Sequence, residues 1–175
     1  MLKITIIGPE STGKTKLAQA LASHFDAVWE PELARAYIEN LNRAYTCEDV
    51  CEIARQQIEI EKRYEQNNTA YQIVFFDTDL VITKVWLMYK YHLVPQFITQ
   101  RLNKKFTNLY LLCEPDIPWK PDTVREHGHD RDFFFDWYKK EIEHLNIPYV
   151  IIYGTGKKRL ENAVEKVQAF ILDNP

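Results

Sequence analysis

Four groups of residues have types and spacings suited to chemistry on a phosphorylated ligand. The first is GPESTGKT at positions 8–15, which satisfies G-x-x-x-x-G-K-[ST] at every fixed position. A triphosphate must be wrapped by backbone N–H groups, and Gly8 and Gly13 supply the φ freedom that a tight anion-binding nest requires. The amides of Glu10, Ser11, Thr12, Gly13, Lys14, Thr15 and Lys16 would surround the phosphates. Lys14 would reach the β- and γ-phosphates, and the Thr15 hydroxyl would be a ligand of Mg²⁺. The second group is Asp77 with Asp79, directly behind the apolar run 73–76. A carboxylate at the end of such a strand can hold the Mg²⁺ shell opposite Thr15. Asp79 has an equal alternative as the N-cap of the next helix. The third is Glu32 with Arg35, three apart and so on one helix face. Such a pair can converge on a hydroxylated small molecule, with Glu32 orienting its hydroxyl and taking the proton; Asp77 competes for that role. A surface ion pair explains the same spacing, but ligands of open α/β sheets bind beyond strand carboxyl ends, where this pair falls. The fourth is Arg125 with Arg131, inside a stretch, 116–132, that breaks every periodicity. Guanidinium groups that arrive on closure of a lid neutralise the charge developing on a transferring phosphoryl group, and the lid excludes water.

These residues need a scaffold, and the pattern supplies one. Apolar runs at 2–7, 27–29, 73–76, 109–113 and 149–153 alternate with helical spacings at 14–25, 32–40, 46–66, 80–91, 95–104, 133–145 and 157–172. In residues 14–25, Leu17, Ala18, Leu21, Ala22 and Phe25 share one face. Thr46 followed by Asp49 resembles a capping box with Asp in place of Glu. Strand and helix alternation predicts an α/β chain: a five-stranded parallel sheet, helices on both faces in a three-layer α/β/α sandwich, and the 116–132 lid within one domain spanning 1–175.

Composition excludes other classes. With 175 residues, 46% of them hydrophobic, one core can be buried. A net charge of −3 argues against a nucleic-acid surface and for phosphate binding local to a pocket. Three cysteines without framework spacing suit a reducing, cytoplasmic location, and Cys47 with Cys51 read as core packing. No apolar stretch approaches a membrane span, and the apolar start runs straight into the phosphate loop, unlike a cleaved signal. His127 and His129 lack partner ligands at metal-binding spacing.

Taken in order, GPESTGKT, Glu32-x-x-Arg35, Gln56 in a polar helix, FFDTD at 75–79 and D-x-P-W-x-x-D-x-x-R at 116–125 with Arg131 beyond closely resemble the ribosylnicotinamide kinase domains of the NadR family. The resemblance covers nearly the whole chain, and the last two motifs are the specific ones. It implies a P-loop kinase fold, ATP with Mg²⁺, and phosphorylation of nicotinamide riboside at its 5′-hydroxyl to give nicotinamide mononucleotide. It places Gln56 and Asp79 on the substrate side. Two departures stand out. Thr123 follows Asp122 where the family tends to have Gly, and Pro31 stands before Glu32 where the family can present an aromatic. Trp29, or Trp86, Trp119 or Tyr37, would then stack on the nicotinamide ring. Arg159, with Lys157, would border the adenine. The residues by themselves leave two alternatives: a deoxynucleoside or other nucleoside kinase, and a nucleotide-dependent regulatory ATPase. They do not specify an oligomeric state.

Overall fold

The computed structural model describes residues 1–66, 72–121 and 130–174. Five strands, β1 (Leu2–Ile7), β2 (Val28–Glu30), β3 (Ile73–Asp77), β4 (Leu109–Cys113) and β5 (Tyr149–Ile152), form one parallel sheet in the order β2-β3-β1-β4-β5. The described helices are α1 (Lys14–His24), α2 (Leu33–Glu39), α3 (Cys47–Gln66), α4 (Leu80–Tyr91), α5 (Gln96–Leu102), α6 (Arg131–Leu145) and α7 (Gly156–Asp173). The uninterrupted apolar strands are explained by burial on both faces. Ile4, Ile6, Phe75, Leu109, Leu111 and Cys113 point at α1 and α7. Ile7, Tyr110 and Leu112 point the other way, into a core shared with α3, α4, α5 and α6. Each side chain so buried contributes about 1.5–3 kcal/mol relative to exposure. The result is the expected three-layer α/β/α sandwich, with two helices on one face and four packed on the other. None of the described helices is long and apolar enough to cross a membrane.

The capping box forms, and with more partners than the motif requires. The Thr46 amide and hydroxyl both donate to Asp49 Oδ2 at 2.7 Å, and the Asp49 amide donates back to Thr46 Oγ1 at 3.4 Å. Arg43 forks onto the same carboxylate at 2.6 and 2.8 Å. These contacts hold the Asp49 carboxyl well below the usual range and fix the turn that carries Tyr45. Cys51 is buried in the core and Cys47 packs against it.

Three element boundaries move in ways that matter. Strand β2 extends to Glu30, whose carboxylate accepts the Tyr64 hydroxyl at 2.8 Å, and α2 begins only after Glu32. Helix α6 begins at Arg131 rather than Phe133, two residues before the sequence suggests. Because all strands are parallel, the residues following β1, β2, β3, β4 and β5 line a single edge of the sheet.

Candidate active site

At the carboxyl end of the central strand β1, the chain turns at Gly8 and enters α1 through Gly13. At Gly8 (φ +151°) an added Cβ would lie 2.7 Å from the Cys113 carbonyl oxygen, so any side chain would force β1 and β4 apart. Gly13, at φ +77°, is the N-cap of α1. The loop thus wraps the positive end of an 11-residue helix, a ready anion site. Lys14 donates to the Gly8 and Pro9 carbonyls at 2.9 Å each, and the buried Thr12 hydroxyl donates to the Pro9 carbonyl at 2.9 Å. The loop therefore holds its shape through its own side chains.

Asp77 is paired with Ile6 in the β1–β3 ladder, two residues before the loop begins. It is 2% exposed, and neither carboxylate oxygen has a hydrogen-bond partner. Burial pushes its carboxyl above the usual range, while the Thr15 hydroxyl, the Lys14 ammonium and the Arg35 guanidinium pull it down. Two buried acceptor oxygens beside a threonine hydroxyl are the surroundings a hard cation completes, so Asp77 and Thr15 fit Mg²⁺. Thr78 follows at φ +73°, a costly conformation for a β-branched residue, held by its amide donating to the Ile6 carbonyl at 3.0 Å. That turn separates the two aspartates. Asp79 caps α4, accepting from the Val81 amide at 2.9 Å and from the Tyr110 hydroxyl at 2.5 Å. Burial raises it to about 6.

A cavity of about 490 Å³ runs from the phosphate loop to a chamber walled by aromatic side chains. Its loop end is lined by all eight residues of 8–15 together with Lys16 and Gln19. Glu32 and Arg35 lie along it, with Arg35 Nε 4.0 Å from Glu32 Oε2 and Arg35 Nη1 donating to Glu39 at 3.2 Å. The far wall is Tyr45, Trp86, Tyr89, Phe134 and Tyr138, and the lining includes Ile53, Gln57, Thr78, Asp79 and Thr83. Trp86 Nε1 donates to the Tyr45 hydroxyl at 3.3 Å, which fixes their edge-to-face contact at 5.0 Å. The Tyr138 phenol is kept neutral chiefly by burial, with Glu10 and Glu32 adding to the effect.

The stretch after β4 is pinned on three sides. Ser11 and Lys120 exchange hydrogen bonds, the Ser11 hydroxyl donating to the Lys120 carbonyl at 3.3 Å and the Lys120 amide to Ser11 Oγ at 3.1 Å. Trp119 Nε1 points at Glu10 Oε2, 3.5 Å away. Arg131, from the first turn of α6, donates to the Ile117 carbonyl at 2.7 Å. Arg159, 3% exposed, donates to the Gly154 and Glu114 carbonyls at 2.6 and 3.1 Å and pairs with Asp116. Asp116 in turn accepts the Gly154 amide at 2.5 Å.

The fold therefore gathers the phosphate loop, Glu32, Arg35, Asp77, Asp79 and Trp86 around one site. It does not bring Trp29 there: that side chain packs toward α1, on the opposite face of the sheet. Gln56 is turned out of the cavity, donating to Glu52 at 3.0 Å, and its neighbour Gln57 faces in. Trp119, Arg131 and Arg159 brace the segment beside the loop instead of lining the cavity. Arg125, with Asp122, His127 and His129, lies outside the described residues. Gln57 was legible in principle: Val50, Ile53, Ala54, Gln57, Ile60 and Glu61 are the buried stripe of α3, and Gln56 falls off it. Of the aromatic wall, Trp86 was among the stacking candidates; the other members had no comparable signal, since the wall comes from three separate stretches.

The model of a family described as AAA domain matches residues 3–159. The trifunctional NAD biosynthesis/regulator protein NadR of Salmonella typhimurium, and that of Escherichia coli, are each 26% identical over 156 residues, covering 84% of this chain and 37% of theirs. The chain thus spans little more than a third of the length of the curated relatives it matches. Among solved structures, NadR protein in complex with NR is similar with a TM-score of 0.77 at 24% identity, covering 97% of this chain and 51% of that one. NadR protein in complex with NAD and AMP-PNP gives 0.71 at 25%, covering 97% and 49%. Thymidylate kinase from Ehrlichia chaffeensis gives 0.65 at 14%, covering 97% and 98%. The P-loop α/β fold is common to all of them, and the resemblance carried by the sequence motifs recurs at the level of structure.

Proposed function

The chain belongs to the AAA domain family, and on that premise we propose that it is an ATP-dependent kinase of small molecules, transferring the γ-phosphoryl group to the 5′-hydroxyl of nicotinamide riboside. The observation that carries this is the single cavity in which a phosphate loop and an aromatic chamber share Glu32 and Arg35. A hydrolase that only senses nucleotide needs a water beside the γ-phosphate, not a chamber with five aromatic walls. A cationic pyridinium is a good occupant for such walls, because it is attracted to ring faces. The solved NadR complexes, one with NR and one with AMP-PNP, support both halves of the assignment.

In this reading, the loop amides and Lys14 hold the phosphates, and Thr15 and Asp77 hold Mg²⁺, which when bound neutralises phosphate charge. Glu32 orients the acceptor hydroxyl and takes its proton as the new O–P bond forms and the bond to the β-phosphate oxygen breaks. Arg35 steadies the acceptor beside Glu32. Arg131 acts indirectly, by holding the backbone at Ile117, and Arg125 is the proposed cation of the closing segment.

The test is ATP-to-ADP turnover with Mg²⁺ against nicotinamide riboside, nicotinic acid riboside and a panel of nucleosides. Stimulation by nicotinamide riboside, with mononucleotide appearing in equal amount, is the expected result. Turnover with another nucleoside alone would move the protein to the nucleoside kinases. Hydrolysis indifferent to every acceptor would make it a regulatory ATPase.

A further inference from the structure

We propose that Tyr138 makes the acceptor site selective for an intact ribose: its hydroxyl hydrogen-bonds one of the two secondary hydroxyls of the acceptor's sugar. The inference rests on the kinase reading for the identity of the acceptor; the aim of the side chain follows from the fold alone.

Tyr138 is 7% exposed and lines the cavity from the middle of α6. Helix α6 joins β4 to its parallel neighbour β5 and so runs back against the strands. Helical side chains lean toward the N-terminus of their helix, so Tyr138 leans toward the carboxyl edge of the sheet, where the phosphate loop and Glu32 stand. Its ring is stacked on Phe134, 6.2 Å away at 27°, and Phe134 in turn meets Tyr89 edge-on at 4.9 Å. Tyr89, 36% exposed, is the open end of this wall, and Tyr138 is its inner end.

Polar atoms of the neighbouring walls are already engaged. Trp86 Nε1 and Lys90 Nζ both donate to the Tyr45 hydroxyl, at 3.3 and 2.5 Å, and Asp79 accepts from the Val81 amide and the Tyr110 hydroxyl. The Tyr138 hydroxyl has no hydrogen-bond partner among the described residues. A hydroxyl buried in that way destabilises the fold, and a ligand that supplies the missing bond removes the penalty. With the 5′-hydroxyl against Glu32 and the base among the aromatic rings, the sugar spans the stretch between them, which Tyr138 borders. A phenol both donates and accepts, as a sugar hydroxyl does. Phosphoryl oxygens only accept, and the loop amides and Lys14 serve them. The phenol also keeps its proton, through burial and the Glu10 and Glu32 carboxylates, and so stays a donor.

The experiment compares the wild type with Tyr138→Phe, which removes the hydroxyl and keeps the stacked ring. The quantity measured is kcat/KM for nicotinamide riboside and for cytidine, each beside its 2′-deoxy and 3′-deoxy analogues. The wild type should disfavour one of the two deoxy forms by about tenfold or more, because its own hydroxyl is then left unpaired. Tyr138→Phe should lower kcat/KM for the intact ribosides by about ten- to a hundredfold, chiefly through KM, and leave that deoxy form within about threefold. The variant should melt no lower than the wild type and bind AMP-PNP equally well. A preference that survives Tyr138→Phe, or equal losses on all three sugars, would overturn the inference. So would a lower melting temperature, which assigns the hydroxyl to the fold, or weakened AMP-PNP binding, which assigns it to the phosphates. If only the cytidine series turns over, the nicotinamide assignment fails and Tyr138 is decided on that series. If no acceptor turns over, the kinase reading fails, and calorimetric binding of the same sugars to the AMP-PNP complex decides Tyr138: a contrast that the variant abolishes sustains its role, and no contrast overturns it.

Discussion

Glu32 and Asp77 are the two carboxylates that compete for the proton of the acceptor, and their surroundings separate them. Asp77 is sealed beneath the phosphate loop with neither oxygen hydrogen-bonded. Glu32 stands at the N-cap of α2 with its side chain 27% exposed, where a proton taken in one turnover can be lost to water before the next. Glu32 thus suits the base and Asp77 the cation. Replacing Glu32 by Gln should lower kcat by a factor of ~10² or more and leave AMP-PNP affinity unchanged; a loss below about threefold with KM unaffected would remove it from the acceptor side. Asp77→Asn should behave differently. Removing a buried, unpaired charge should leave the nucleotide-free melting temperature unchanged or raised. It should also abolish the extra stabilisation that Mg²⁺ adds to AMP-PNP binding, and a variant that kept the full Mg²⁺ response would contradict the assignment. Both residues were legible from strand ends and motif spacing. Gln57 was passed over for Gln56 because a motif match by position outweighed the helical stripe that separates the two by about 100°.

At the scale of elements, the phosphate loop and the stretch after β4 form one braced unit. Arg159 stands next to the 154–156 turn, where the sequence suggests a nucleotide contact; α7 carries it inward, where it ties Glu114, Asp116 and Gly154 together. A buried cation with this many partners is strongly destabilising to break. Arg159→Met should cost about 3–5 kcal/mol in urea unfolding. An adenine contact would instead raise the KM for ATP with stability intact. The onset of α6 at Arg131 has a similar origin. Asp130 and Asp132 favour a helix start, but nothing in the local pattern said that Arg131 would be anchored by the Ile117 carbonyl.

Across the whole molecule, a buried polar line runs behind the cavity, from Gln57 and Asp79 through Glu61 and Arg101 to Glu65 at the surface. Burial, reinforced by the charge of Asp79, lifts Glu61 to about 7 despite the Arg101 contact that pulls it down. A carboxyl raised above its unfolded value stabilises the fold fully below that unfolded value, near 4.5, and loses this contribution as pH rises through about 7. The stability difference between wild type and Glu61→Gln should therefore shift against the wild type by on the order of 2 kcal/mol between pH 4.5 and 7.5, read from urea unfolding at each pH. A difference independent of pH would show that Glu61 titrates normally. The sequence by itself determined the phosphate loop, the five parallel strands and the two carboxylates, because these depend on local spacing, periodicity and backbone freedom. Only the tertiary structure decided which tryptophans face the site, which glutamine lines it and which arginines serve as braces. Those outcomes depend on strand order and helix rotation, which bring together residues from opposite ends of the chain.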